Sequence, residues 1–182
     1  MIKKILAVIA VIAVIIAAFA VYVALQPAEF RIERTATIAA APADVFAQVN
    51  DLHNWQAWSP WAKLDPQAKI SFAGAPAGEG AVFAWSGNDD VGEGSMTLAE
   101  SRPNELVRIQ VAFIRPFEGG NVSEFAFKPD GQQTAVTWTM SGRNGFIGKA
   151  MCLFVDMGNL LGGDMEKGLA QMKSVTEAKS GG

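Results

Sequence analysis

The chain opens with one long apolar block. From Ile5 to Leu25, 21 consecutive residues carry no charge and nearly all are Ala, Val, Ile, Leu or Phe, with Tyr22 near the far end. As a helix at about 1.5 Å per residue the block is roughly 32 Å long, which matches a bilayer core of about 30 Å. Pro27 then stops the helix, and the pattern changes period. Phe30, Ile32, Ala36 and Ile38 alternate with Arg31, Glu33, Thr35 and Thr37, which predicts a half-buried strand. Ala41-Pro-Ala-Asp44 opens a short helix with proline in its first turn, and Val45, Phe46 and Val49 supply its apolar face. Trp55, Trp58 and Trp61 follow three residues apart around Ser59-Pro60, which predicts a second short helix or turn pinned to a sheet by its indoles.

Between Lys69 and Ser141 the sequence breaks into short β-rich runs near 69–73, 80–86, 93–101, 105–114, 121–128 and 134–141, separated by Gly, Pro, Asn and Asp. Links this short favour an antiparallel meander, because a parallel crossover needs a helix-length connection. After Gly145 an apolar segment runs to Met157 and is interrupted by Gly158 and Gly162-Gly163. Asp164 offers the start of a final helix with Met165, Leu169, Met172 and Thr176 on one stripe, and Ser180-Gly-Gly182 is expected as a frayed tail. The predicted fold is α+β: a curved seven-stranded antiparallel sheet around a long C-terminal helix, a helix-grip over residues 29–179, preceded by a transmembrane anchor and short linker over residues 1–28.

Charge orients the apolar block. Lys3 and Lys4 precede it, whereas Glu29, Arg31, Glu33 and Arg34 mix signs just after it, so the positive-inside bias leaves the N-terminus cytoplasmic and the domain on the periplasmic or extracellular side. A cleaved signal peptide is the rival reading, with Ala18-Phe-Ala20 as its small-residue site, but the block exceeds the usual apolar length of about 7–15 residues and that cut falls inside it. Without Lys3 and Lys4, the 15 basic residues fall to 13 against 18 acidic, a net charge of -5 that disfavours nucleic acid as a partner. A single cysteine, Cys152, rules out an intramolecular disulfide; between Met151 and Leu153-Phe154 it is expected as a small buried hydrophobe.

At this point the motifs converge. Ala41-Pro-Ala-Asp-Val-Phe46, Asp51-Leu-His-Asn-Trp55 with Trp58-Ser-Pro-Trp61, and Gly158-Asn-Leu-Leu-Gly-Gly-Asp164 with Gly168-Leu-Ala-Gln-Met-Lys173 resemble the START-like, SRPBCC superfamily, in its polyketide cyclase/dehydrase and lipid-transport branch. The resemblance implies a helix-grip domain with an internal cavity for a hydrophobic or amphipathic ligand. Its candidate lining is Trp58, Trp61, Phe83, Trp85, Met96, Phe113, Phe125, Trp138 and Met140 from the first helices and the strands, with Phe154, Met165 and Leu169 from the helical side. The same residue types are what a closed core requires, so each taken singly also reads as packing.

Signals for catalysis are thin. His53 is the sole histidine, and Asp51 two residues earlier reads as a cap rather than a partner in a dyad. No zinc cluster, phosphate loop or dinucleotide glycine pattern is present, so no catalytic residue, metal or cofactor is assigned. The leading expectation is a binding protein that holds a hydrophobic or lipid-like small molecule, tied to the membrane through residues 5–25. An enzyme of the cyclase kind, using His53, Glu124 or Arg143 as polar participants, is one alternative; a ligand-free protein-interaction domain is another. Nothing in the pattern sets an oligomeric state.

Overall fold

The computed structural model describes residues 1–180. Its elements are α1 (Ile2–Ala24), β1 (Glu29–Ile38), α2 (Pro42–Asn50), α3 (Trp55–Trp58), β2 (Lys69–Gly74), β3 (Ala81–Ser86), β4 (Glu93–Arg102), β5 (Leu106–Arg115), β6 (Gly119–Asp130), β7 (Gln133–Arg143), α4 (Phe146–Cys152) and α5 (Met157–Ser180). Turns of 3-10 helix, Leu52–Asn54 and Pro60–Lys63, flank α3.

The strands form one curved antiparallel sheet in the order β1-β7-β6-β5-β4-β3-β2. β1 and β2 thus lie on opposite edges, and the chain between them has to cross the sheet. Six strand spacings of about 4.8 Å make that distance nearly 29 Å, and the segment from α2 to the second 3-10 turn fills it. α2 lies over β5, β6 and β7, while α5 packs on β1, α2 and α3.

Register decides which side chains face this helical layer. Ile32 pairs with Met140, Ser123 with Met140, Phe125 with Trp138, Val107 with Phe125, Leu98 with Ile109 and Phe83 with Met96. Because a strand alternates faces at every residue, the inner set also takes in Phe30, Trp85, Val111, Phe113, Asn121 and Phe127. Their neighbours turn outward. On the convex face Arg108 bridges Glu124, at 2.8 Å, and Glu100, and these carboxylates hold its guanidinium pKa above the ordinary arginine value.

Three local expectations change. Gly162 and Gly163 do not interrupt the C-terminal helix: α5 starts at Met157, seven residues before Asp164, and runs through both glycines to Ser180. Each glycine costs a helix roughly 1 kcal/mol relative to alanine, but Gly162 is buried where the Arg34 guanidinium crosses α5, and Arg34 donates to Glu166 at 2.6 Å. Tertiary contact thus outweighs propensity. Cys152 is exposed instead of buried, because α4 stands off the core and buries none of its residues. The expected tail divides: Ser180 ends α5, and Gly181 and Gly182 lie outside the described residues.

Candidate functional site

The inner face has a packed end and an open end. At the packed end, Trp58, Phe125 and Trp138 are fully buried. Phe125 stacks on Trp138 with centroids 4.8 Å apart, while Trp58 meets Trp138 edge-on at 5.9 Å. These two tilts suit the ring quadrupoles, which favour offset stacks and edge contacts. The indole N–H groups do not go unpaired: Trp55 donates to the Val49 carbonyl at 3.1 Å and Trp58 to the Gln48 carbonyl at 3.0 Å. That is why Trp55 and Trp58 follow α2 so closely, since both bond back to the helix that precedes them. Trp61 meets Trp138 edge-on at 5.9 Å, and Met165, Leu169 and Met172 cover the cluster from α5. Gly168 lets α5 approach, because a Cβ there would lie 3.0 Å from the Trp138 ring.

The open end is the one from which β1 departs and to which β7 returns. There Phe83 and Trp85 stack at 6.0 Å, Phe113 meets Trp85 edge-on at 6.0 Å, and Met96 flanks them half-buried. Phe113 keeps 37% of its surface exposed. Trp85 lies flat across the neighbouring strand because its cross-strand partner is Gly94, where a Cβ would fall 2.6 Å from the indole. Phe30 crosses Gly142 in the same way, at 2.9 Å.

Beside Phe30 the structure holds a half-open hollow of about 720 Å³. Phe30 and Ile32 of β1 form one wall; Met151, Phe154, Met157 and Leu161 form the other. Glu29, Arg31 and Asp156 supply charge at its margin. On the inner face, between Val111 and Gly142, the Asn121 Oδ1 is buried without a hydrogen-bond donor. Small-molecule sites are usually hollows of about 300–1,000 Å³, and this one has a volume in that range with apolar walls and a charged margin.

The structure therefore divides the sequence-predicted lining residues into three groups. Trp58, Trp61, Phe125, Trp138, Met140, Met165 and Leu169 join in the packed end. Phe83, Trp85, Met96 and Phe113 gather on the inner face toward the open end, and Phe154 leaves the interior to line the hollow from outside. Phe30, Ile32 and Leu161 were readable as apolar positions, but no local signal said that they meet. Asn121 carries no signal at all, because one polar residue in a strand looks the same on either face.

The polar candidates are dispersed. Glu124 pairs with Arg108 on the convex face, and Arg143, opposite Glu29, points the same way. His53 does bond Asp51, at 2.7 Å, since the turn that joins them is a 3-10 turn rather than an α-helix; the same carboxylate oxygen also caps the His53 N–H at 2.9 Å. The imidazole stacks on Phe72 with centroids 3.9 Å apart. Among the described residues no group of three or more His, Cys, Asp or Glu is placed to hold a metal ion.

A curved antiparallel sheet clasping a long C-terminal helix, with an apolar hollow between helix and sheet edge, defines a helix-grip domain. The chain belongs to the polyketide cyclase/dehydrase and lipid transport family, whose model matches residues 29–177. Solved structures share the fold. The Aha1 dimer from Colwellia psychrerythraea aligns with a TM-score of 0.59 at 19% identity, covering 81% of this chain and 96% of that one. A protein from Mesorhizobium loti aligns at 0.60 with 14% identity, over 82% and 98% of the two chains. The di-domain aromatase/cyclase StfQ of the steffimycin biosynthetic pathway aligns at 0.62 with 10% identity, over 85% of this chain and 53% of that longer one. No curated protein sequence matches the chain.

Proposed function

We propose that this protein is a membrane-tethered binding domain for a hydrophobic, lipid-like small molecule, with residues 1–28 as anchor and linker and 29–179 as the binding domain. The observation that carries the reading is the apolar hollow of about 720 Å³ at the sheet end joined to α1. α1 is 23 residues long, and none of its most apolar window is buried in the protein. A bare helix of that hydropathy is stable where lipid replaces water around it. Lys3 and Lys4 at its start support a cytoplasmic N-terminus, with the domain across the membrane, by the positive-inside bias. Tethering holds the hollow near the phase into which such a ligand partitions. Phe30, Ile32, Met151 and Phe154 supply apolar contact. Trp85, Met96 and Phe113 extend the apolar surface along the inner face.

Full-length protein, purified in mild detergent and extracted for mass spectrometry, is expected to release a hydrophobic compound in constant proportion to protein. Loss of that compound in an Ile32→Asp variant, with the fold intact by circular dichroism, ties it to the hollow; extracts identical to detergent blanks overturn the reading.

A cyclase-type enzyme is the second reading, favoured by one observation: the Asp51–His53 pair rests on Phe72, an inner-face ring. Here His53→Ala separates the two. Ligand retention unchanged in that variant supports binding alone, whereas conversion of a bound polyketide-like compound by the native chain and not by the variant supports chemistry.

A further inference from the structure

Apolar residues that water ought to exclude are concentrated on one segment of the domain. Phe146, Ile147, Met151, Phe154 and Val155, on α4 and the loop that leads to α5, are all exposed, Phe154 by 78%. Ten residues carrying five large exposed apolar side chains make a patch of the kind that marks a membrane or partner surface.

Two contacts indicate what covers it. Phe154 meets Phe19 of α1 with ring centroids 6.4 Å apart. The Lys149 Nζ donates to the Ala24 carbonyl at 2.9 Å, at the C-terminal end of α1 where the helix dipole favours a cation. α4 is thereby held against the apolar helix on the same side as the exposed patch. Depth follows from helix geometry. Phe19 lies five residues before Ala24, so about 7.5 Å below the end of α1 measured along its axis. Whatever touches Phe19 shares that depth, and amphipathic elements seated on membranes bury their apolar face by about 5–10 Å.

We infer that the segment from Phe146 to Val155 is a foot seated in the same membrane, in the leaflet from which α1 emerges, with Phe154 level with Phe19. This rests on α1 crossing the bilayer. The foot forms one wall of the hollow, so the hollow opens toward acyl chains, and its ligand class is lipid taken sideways from that leaflet without passage through water. Charge sets how far the domain can lean in. The β3–β4 turn at the same end of the sheet carries Asp89 and Asp90, but strand order places it four to five strands from β1, about 19–24 Å at the usual strand spacing. The β1 and α4 edge therefore sinks while that turn stays in water.

The native chain carries its own reporter, since Cys152 is its single cysteine and is exposed on the foot. Bimane is attached in detergent to Cys152, and separately to Phe154→Cys, Phe19→Cys and Asp130→Cys in a Cys152→Ser background. Each full-length protein is then reconstituted into phosphatidylcholine vesicles. The probes are a phosphatidylcholine spin-labelled near the top of its acyl chain and, in water, iodide. Labels at 152, 154 and 19 are expected to be quenched several-fold more by the lipid probe than the label at 130, which lies on the turn at the opposite sheet end and should respond to iodide. If 152 and 154 behave like 130 while 19 remains lipid-quenched, the foot is refuted and the anchor stands. If 19 also responds to iodide, the anchor fails and the foot falls with it.

Discussion

Single side chains in this domain act through what they lie across. Trp138 meets Trp55, Trp58, Trp61 and Phe125, so it joins sheet, crossover and C-terminal helix in one residue. Trp138→Ala should lower stability by about 3–5 kcal/mol, the range for removing a large buried ring, measured as a drop in the thermal midpoint by near-UV circular dichroism. Gly94→Val should displace Trp85 from its neighbour strand, seen as a red-shifted tryptophan emission with far-UV dichroism unchanged. Glu33 sets a pH dependence. The Arg31 guanidinium, and then the Thr139 hydroxyl, bond its carboxylate at 2.8 and 3.1 Å and hold its pKa below the ordinary glutamate range. A carboxyl whose folded pKa is depressed stabilises the fold above its unfolded pKa and loses that contribution as pH falls through the folded one. Carboxyl carbon shifts by NMR should show Glu33 titrating below the ordinary glutamate range, and Glu33→Gln should flatten that part of the acid unfolding curve.

At the level of elements, α5 shows how packing overrides local preference. It passes through Gly158, Gly162, Gly163 and Gly168, and these glycines are not equivalent. Nothing lies within 4 Å of a Cβ at Gly163, so Gly163→Ala should raise stability by about 0.5–1 kcal/mol through helix propensity alone. A Cβ at Gly168 meets Trp138 at 3.0 Å and Pro60 at 3.1 Å, and Gly168→Ala should lower the thermal midpoint instead. Opposite signs from the same substitution on one helix are the outcome to check. The convex-face triad of Arg108, Glu100 and Glu124 belongs to this scale as well. Its members keep about a third or more of their side-chain surface in water, so Arg108→Met should cost at most about 1 kcal/mol in a denaturant titration.

For the whole molecule the question is how an apolar helix and a folded domain share one chain. A lysine near the centre of a membrane helix costs about 2.5–3.5 kcal/mol of insertion free energy. Ile12→Lys should therefore shift full-length protein from the membrane pellet toward the carbonate-extracted supernatant, whereas Asp130→Lys on the β6–β7 turn should leave the partition unchanged. A protease added outside intact cells or spheroplasts should cleave the domain while the N-terminus remains protected.

Much of this was legible along the chain, because short-range periods follow from covalent geometry. Alternation in a strand and apolar spacing in a helix need no distant partner, so the strand at 30–38, the helix at 42–50, the six later strands and the apolar block at 5–25 could be read locally. Parity within a strand likewise grouped Phe83 with Trp85 as residues that could face the helix, but only the pairing register puts them on one face with Phe113, Phe125 and Trp138. What the residues could not reveal singly is which of them meet. Arg34 and Glu166, 132 residues apart, bond across α5 and carry it through Gly162. Phe154 finds Phe19 rather than the interior, which leaves Cys152 in the open and builds the hollow against Phe30 and Ile32. Such pairings depend on closing long loops and on filling a shared volume, and both are properties of the folded chain as a whole. The apolar N-terminal helix, the strands and their apolar faces thus belonged to the sequence; the division of the inner face into a packed end and an open one belonged to the tertiary structure, because only close packing decides where apolar surface runs out of partners.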